Sequence, residues 1–290
     1  MKAIQLQHVT KKFASVQALN QLDLDVEEGA FYGFIGPNGA GKSTTIRILL
    51  NILYPTAGSA QIFGLDCMTR SHEIKRITAY TSSDVRLYPK LTIHEIMKIV
   101  ADFRELGDIR SKLNHYYEIF EMNPDKRIST LSLGNKKKVA LVTSLVSASK
   151  LLILDEPSNG LDPLMHSRLF SELRRLNESG TTIFLSSHDL KEVQNYCKEA
   201  AFIKDGRIVA TENIEAERLQ NKILSISGPV DEAIFIKIGC TLIEKNDEKP
   251  RFLIREHMED VLRLLAGEKI TDFEIKNLEL DEKFLSLYEG

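Results

Sequence analysis

The segment Gly36-Pro-Asn-Gly39-Ala-Gly41-Lys42-Ser43 constrains this chain most, because of what flanks it. An apolar run, Phe31–Ile35, leads straight into it, and an apolar, helix-period segment, Thr44–Leu53, leads out. A GxxxxGK[ST] pattern between a strand and a helix turns consecutive backbone N–H groups inward around phosphate oxygens, at the positive end of the helix. Pro37, Asn38, Gly39, Ala40 and Gly41 supply the cradle and Thr44 continues the first turn. Lys42 is expected to reach the β- and γ-phosphates, and the Ser43 hydroxyl to ligate Mg²⁺. A plain glycine-rich surface turn needs neither the strand before nor the helix after. The chain is therefore expected to bind a nucleoside triphosphate.

A second signal is Leu151-Leu-Ile-Leu154-Asp155-Glu156-Pro157. A short, wholly apolar strand of this kind is covered on both faces in a parallel sheet. It ends in two carboxylates, and in phosphate-loop folds such a strand lies beside the loop. Asp155 is expected in the Mg²⁺ shell, and Glu156 is placed to polarise an attacking water.

Other segments give the same architecture. Ile4–Val9 alternates like a half-buried strand, and Arg76–Tyr80 and Thr181–Ser186 read as further strands. A helix is expected over Met165–Asn177, and helical periodicity runs from about Leu91 to Lys126. Asp205-Gly206 between Ala201–Lys204 and Arg207–Ala210 is a hairpin signal. Strands alternating with helices mean an α/β core with a mainly parallel sheet. Near residue 215 the character changes. Glu215–Asn221 reads as a polar linker or helix, followed by a strand (Ile223–Ser227), a helix or strand over Val230–Ile238, strands around Asn246–Pro250, a helix Met258–Ala266, and a final strand and helix. This tail is expected to be a small α+β appendage.

Composition excludes much. The chain has 290 residues, 38 Lys+Arg against 41 Asp+Glu, and a net charge of -3. It is long enough for a sizeable core, and the near-neutral balance gives no electrostatic footprint for bulk nucleic-acid binding. The basic run Lys136–Lys138 reads as a solvated helix face. Cys67, Cys197 and Cys240 form no CxxC, which argues for a reducing compartment without disulfides or structural zinc. The longest apolar windows fall well short of the roughly 20 residues a spanning helix needs, and Met1–Thr10 has no signal-peptide character. A cytoplasmic location is expected, with any membrane role acting through a partner.

Across residues 1–215 the chain resembles the nucleotide-binding domain of ABC (ATP-binding cassette) transporters. Leu131-Ser132-Leu-Gly134-Asn135 is similar to the LSGGQ signature, Ser158-Asn-Gly-Leu161-Asp162 to the D-loop, and Ser187-His188-Asp189 carries the switch histidine. Phe13 stands where the family places an aromatic on adenine. The resemblance implies a RecA-like parallel core with an antiparallel β subdomain, a helical subdomain over about 85–145, and an accessory domain over 216–290. It also implies ATP and Mg²⁺ as ligands, a permease subunit on a separate chain, peripheral attachment at the inner face of the membrane, and a second cassette docked head to tail. Ser132 and Gly134 would then meet the γ-phosphate bound by the other cassette, Glu156 would be the general base, His188 would hold water and γ-phosphate, and Asp162 would link the two sites.

Departures from the family pattern accompany the likeness. Leu133 and Asn135 replace a glycine and the glutamine of LSGGQ. Where the family has a glutamine that contacts Mg²⁺ and senses the permease, Thr81-Ser82-Ser83-Asp84 has none, and Ser83 is the best match by register. A catalytically weak regulatory cassette is thus an alternative, as is a soluble cassette ATPase acting on DNA or ribosomes. The latter class usually carries two cassettes or a coiled-coil insertion, neither of which is present. The C-terminal segment, ending Leu280-Asp-Glu-Lys-Phe284-Leu, resembles the tails of export-type drug or antibiotic resistance ATPases.

Overall fold

The computed structural model describes residues 1–290 except 148, 229, 247–248, 268–269 and 278–290, with the side chains of 218–220 also outside it. The final helix expected near the C-terminus, and the tail over 280–285, lie outside the described residues. The chain divides between Thr211 and Glu212 into two compact units.

The first unit opens with β1 (Lys2–Phe13) and β2 (Val16–Glu27), an antiparallel pair, and then β3 (Phe31–Ile35). Leu22, Leu24 and Val26 alternate with charged residues and bury one face, as a half-covered strand requires. No strand was expected over β2, and Gln21, in the left-handed region at φ 49°, breaks its alternation. Helix α1 (Lys42–Leu49) follows the phosphate loop and ends four residues before the expected Leu53. Next come β4 (Ala57–Ile62) and β5 (Leu65–Asp66), which join the first sheet in the order β2-β1-β4-β5.

The expected strand Arg76–Tyr80 is corrected. Helix α2 (Ser71–Ile77) runs through Arg76 and Ile77, and β6 begins only at Thr78 and ends at Thr81. Ile74 is the buried residue of that helix, and carbonyls at the junction are taken up from a distance: Arg104 donates from Nη1 to Lys75 O at 2.9 Å and from Nη2 to Thr78 O, at the start of β6, at 2.8 Å. Three helices follow: α3 (Ile93–Phe103), α4 (Arg110–Ile119) and α5 (Leu133–Val146).

The chain then returns to the sheet with β7 (Leu151–Asp155), α6 (Pro163–Glu178), β8 (Thr182–Ser187), α7 (Leu190–Tyr196), β9 (Glu199–Lys204) and β10 (Arg207–Asn213). Strand order is β10-β9-β3-β8-β7-β6. β9, β3, β8, β7 and β6 are parallel, and every residue of β3, β7 and β8 is buried. The Asp205-Gly206 turn between β9 and β10 has positive φ at both residues, as a tight primed hairpin needs. The core joins Phe34, Ile46, Leu49, Ile153 and Phe184 from the parallel sheet and α1 to Ile4, Leu24 and Ile62 of the antiparallel one.

From Glu212 onward, α8 (Ile214–Gln220), β11 (Lys222–Ser227), α9 (Glu232–Lys237), β12 (Thr241–Glu244), β13 (Arg251–Ile254), α10 (Met258–Gly267) and β14 (Asp272–Asn277) follow. The strands form an antiparallel sheet, β12-β13-β11-β14, with its own core around Leu224, Phe235, Phe252 and Val261. The α+β character expected of this segment is what forms.

Candidate functional site

The parallel strands set the register of the site. Ile35 pairs with Ser187, Asp155 with Ser186, and Thr81 with Leu154, so the chain leaves the sheet at one level from four strands. Gly36, Glu156, His188 and Ser83 therefore emerge together at the carboxyl edge, where open α/β sheets bind ligands.

Gly41 caps α1 with φ 113°, and a Cβ there would lie 2.7 Å from Leu19 Cδ2 and 2.9 Å from Ala18 O. Only glycine fits, and with no side-chain cap the first N–H groups of α1 stay open to an anion. The loop's floor comes from far along the chain: Gly206 N donates to Ala40 O at 3.0 Å, and Asn20 N donates to Gly206 O at 2.9 Å. Pro37, Asn38, Gly39, Gly41, Lys42, Ser43 and Thr44 line a cleft of about 150 Å³ with Glu156 and Ala18. Ala18 was not expected there. Ala40 is buried and faces inward.

Lys42 is 6% exposed; its Nζ donates to Gly36 O at 2.6 Å and Pro37 O at 3.2 Å and stands 3.4 Å from Glu156 Oε1. Asp155, 2% exposed, accepts from Ser43 Oγ at 3.0 Å, Ser83 Oγ at 3.3 Å and Ser186 Oγ at 2.6 Å. Glu156 sits at φ 49°, and its Oε2 accepts from Asn159 Nδ2 at 2.5 Å and lies 3.5 Å from His188 Nδ1. Its amide donates to Ser186 O at 3.1 Å and Ser186 Oγ at 3.2 Å. Ser186 escaped the sequence reading; its only signal was a small polar residue ending a buried strand. Asp84, the next residue, pairs with Arg86 at 2.9 Å.

The remaining expected residues stand outside the cleft. Phe13 ends β1, half-exposed, with the Lys11 ammonium 4.9 Å from its ring centre. Ser132 caps α5, accepting from Asn135 N at 3.3 Å, and a Cβ on Gly134 would lie 3.0 Å from Gly160 O. Asp162 caps α6, and the Met165 amide holds its carboxyl below the usual carboxylate range. The solvated face expected for Lys136–Lys138 is overturned for two of its members: Lys137 is 4% and Lys138 9% exposed. The turn of α5 brings Lys137 onto the end of β7, where burial lowers its pKa against the pull of Asp155 and Glu156.

Residues 19–159 match the ABC transporter family. The bacitracin transport ATP-binding protein BcrA of Enterococcus faecalis is 32% identical over 222 residues, covering 76% of this chain and 72% of that protein. The chain belongs to the ABC transporter ATP-binding family. It is an ATPase of that family. The daunorubicin/doxorubicin resistance ATP-binding protein DrrA of Streptomyces peucetius matches this ABC chain over 304 aligned residues at 28% identity, 99% of the chain and 92% of DrrA. Among solved structures, the ATP-binding subunit of an ABC transporter superposes with a TM-score of 0.70 at 27% identity, over 75% of this chain and 92% of that one. A bacterial ABC transporter cassette solved as a dimer superposes at 0.67 with 25% identity, over 73% and 98%. The P-loop core and its antiparallel sheet are thus those of an ABC cassette.

Proposed function

We propose that this ABC ATPase is the subunit that powers a membrane exporter, working with permease subunits on separate chains. One observation carries this: Lys42, Ser43, Asp155, Glu156 and His188 converge on one edge of the sheet, each within hydrogen-bonding or ion-pairing reach of another. The phosphate loop would hold the β- and γ-phosphates of ATP. Ser43, Asp155 and Ser83 offer hard oxygen donors converging on one point, which suits Mg²⁺; the cation would be held there and would neutralise phosphate charge. Glu156 accepts a proton from the attacking water, and His188 holds water and phosphate in line. A second cassette supplies Ser132 and Gly134 at the γ-phosphate, so ATP clamps the pair shut and hydrolysis releases it.

The names of BcrA and DrrA, with bacitracin transport and daunorubicin/doxorubicin resistance, support export of a drug-like cargo. Among the described residues no helix is long and apolar enough to cross a membrane, which fits a peripheral subunit at the inner face of the cell membrane. Ser83, in place of a longer side chain at Asp155, favours a second reading, a regulatory cassette that binds ATP and turns it over weakly.

The test is Mg-ATP turnover against protein concentration, with Glu156→Gln as reference. Specific activity that rises with concentration, and a variant slower by about a hundredfold or more, is the expected result. Turnover equal to the variant's at every concentration, with ATP still bound, would select the regulatory reading.

A further inference from the structure

Lys137 is a buried cation to which the chemistry above assigns no task. It lies about one turn into α5 beyond Gly134, and its Nζ donates to the Glu156 carbonyl at 2.8 Å. An ammonium taken out of water is costly, and an apolar side chain would fill a helix–sheet contact more cheaply. The Glu156 peptide gives the lysine a purpose. At φ 49° Glu156 occupies a region where a non-glycine residue persists only when its surroundings over-determine it. Ser186 holds the amide side of the residue from β8, through its carbonyl and its hydroxyl. Lys137 holds the carbonyl side from α5.

We propose that Lys137 is a positioning residue for ATP hydrolysis: by fixing the Glu156 peptide in its left-handed conformation, it aims the carboxylate at the attacking water. The proposal rests on Glu156 being the general base. It also gives α5 two tasks, since the helix capped by Ser132 is tied through Lys137 to the base of its own site.

The test uses the full chain with Lys137→Met, which keeps the apolar stem and removes the donor, and Lys137→Arg, which keeps a donor. Expected for Lys137→Met are a kcat lower by about tenfold or more, a Kd for a fluorescent ATP analogue within about twofold of the parent, and an unchanged Tm. Lys137→Arg recovers most of the rate. Amide exchange in a peptide spanning residues 151–160 quickens in Lys137→Met and not in Lys137→Arg, a readout independent of turnover. A kcat within about twofold of the parent, unchanged exchange, or a rate loss matched by equal losses of nucleotide affinity and Tm overturns the proposal. Should Lys137→Met not fold, Lys137→Leu, which also lacks a donor, carries the same comparison. A Glu156→Gln variant with parental turnover sinks the role of Glu156 and the proposal with it. A dead Glu156→Gln beside a fully active Lys137→Met sinks the proposal alone.

Discussion

Asp155 accepts hydrogen bonds from serines on α1, on β8 and just past β6, so one carboxylate joins three separate segments of the chain. Such economy extends to the cysteines, which are all buried and unpaired. Burial pushes the Cys67 thiol up to about 12 and raises Cys197 and Cys240 as well. The thiolate is the reactive form, so at pH 8 the folded protein should give almost no fast reaction with a disulfide reagent, whereas unfolding in urea should release three equivalents. A rapid equivalent in the native protein would contradict this. At this scale the sequence displayed the residues whose chemistry is tied to a local pattern, such as Lys42, Ser43, Asp155 and Glu156. Lys137 and Ser186 were hidden because what they do depends on contacts across the fold. A lysine among lysines looks solvated until the pitch of α5 turns it onto β7.

Among the elements, α3 begins with a reciprocal cap in which Thr92 Oγ1 accepts from Glu95 N at 3.2 Å and Glu95 Oε2 accepts from Thr92 N at 2.7 Å. Thr92→Ala should cost about 1 kcal/mol, visible as a lower urea midpoint with an unchanged slope. An unchanged midpoint would mean that packing of Ile93, Ile96 and Met97 alone holds the helix start. Elements were legible where one physical signal ruled. The apolar runs of β3, β7 and β8 announce strands covered on both faces. The junction of α2 and β6 was not legible, because helix passes to strand with no residue between, and its carbonyls are satisfied by Arg104, far along the chain. The helical insertion showed itself through the periodicity of Ile93, Ile96 and Met97.

For the molecule as a whole, the division into two compact units, each burying hydrophobic residues of its own, has a thermodynamic consequence. Phe235 and Phe252, with ring centres 5.2 Å apart, anchor the core of the second unit, and in the first Phe184 stacks on Tyr32 and meets Phe34 at a tilt. A ligand stabilises only the unit that binds it. Calorimetry should therefore show two transitions, with Mg-ATP raising one; Phe252→Ala should lower the other, removing about 3–5 kcal/mol from that unit. A single transition moved equally by both would count against independent cores. The parallel sheet also bears on how the protein reaches its native form. The phosphate cleft draws on Ala18, the 36–44 loop, Glu156 and the turn at Gly206, so its walls come from segments that meet only when the sheet has closed. Non-local pairing of this kind is slow to form. Nucleotide therefore has nothing to grip on a half-made chain: it leaves the folding rate untouched and slows only the escape from the finished state, a lock on the native protein and no template for building it.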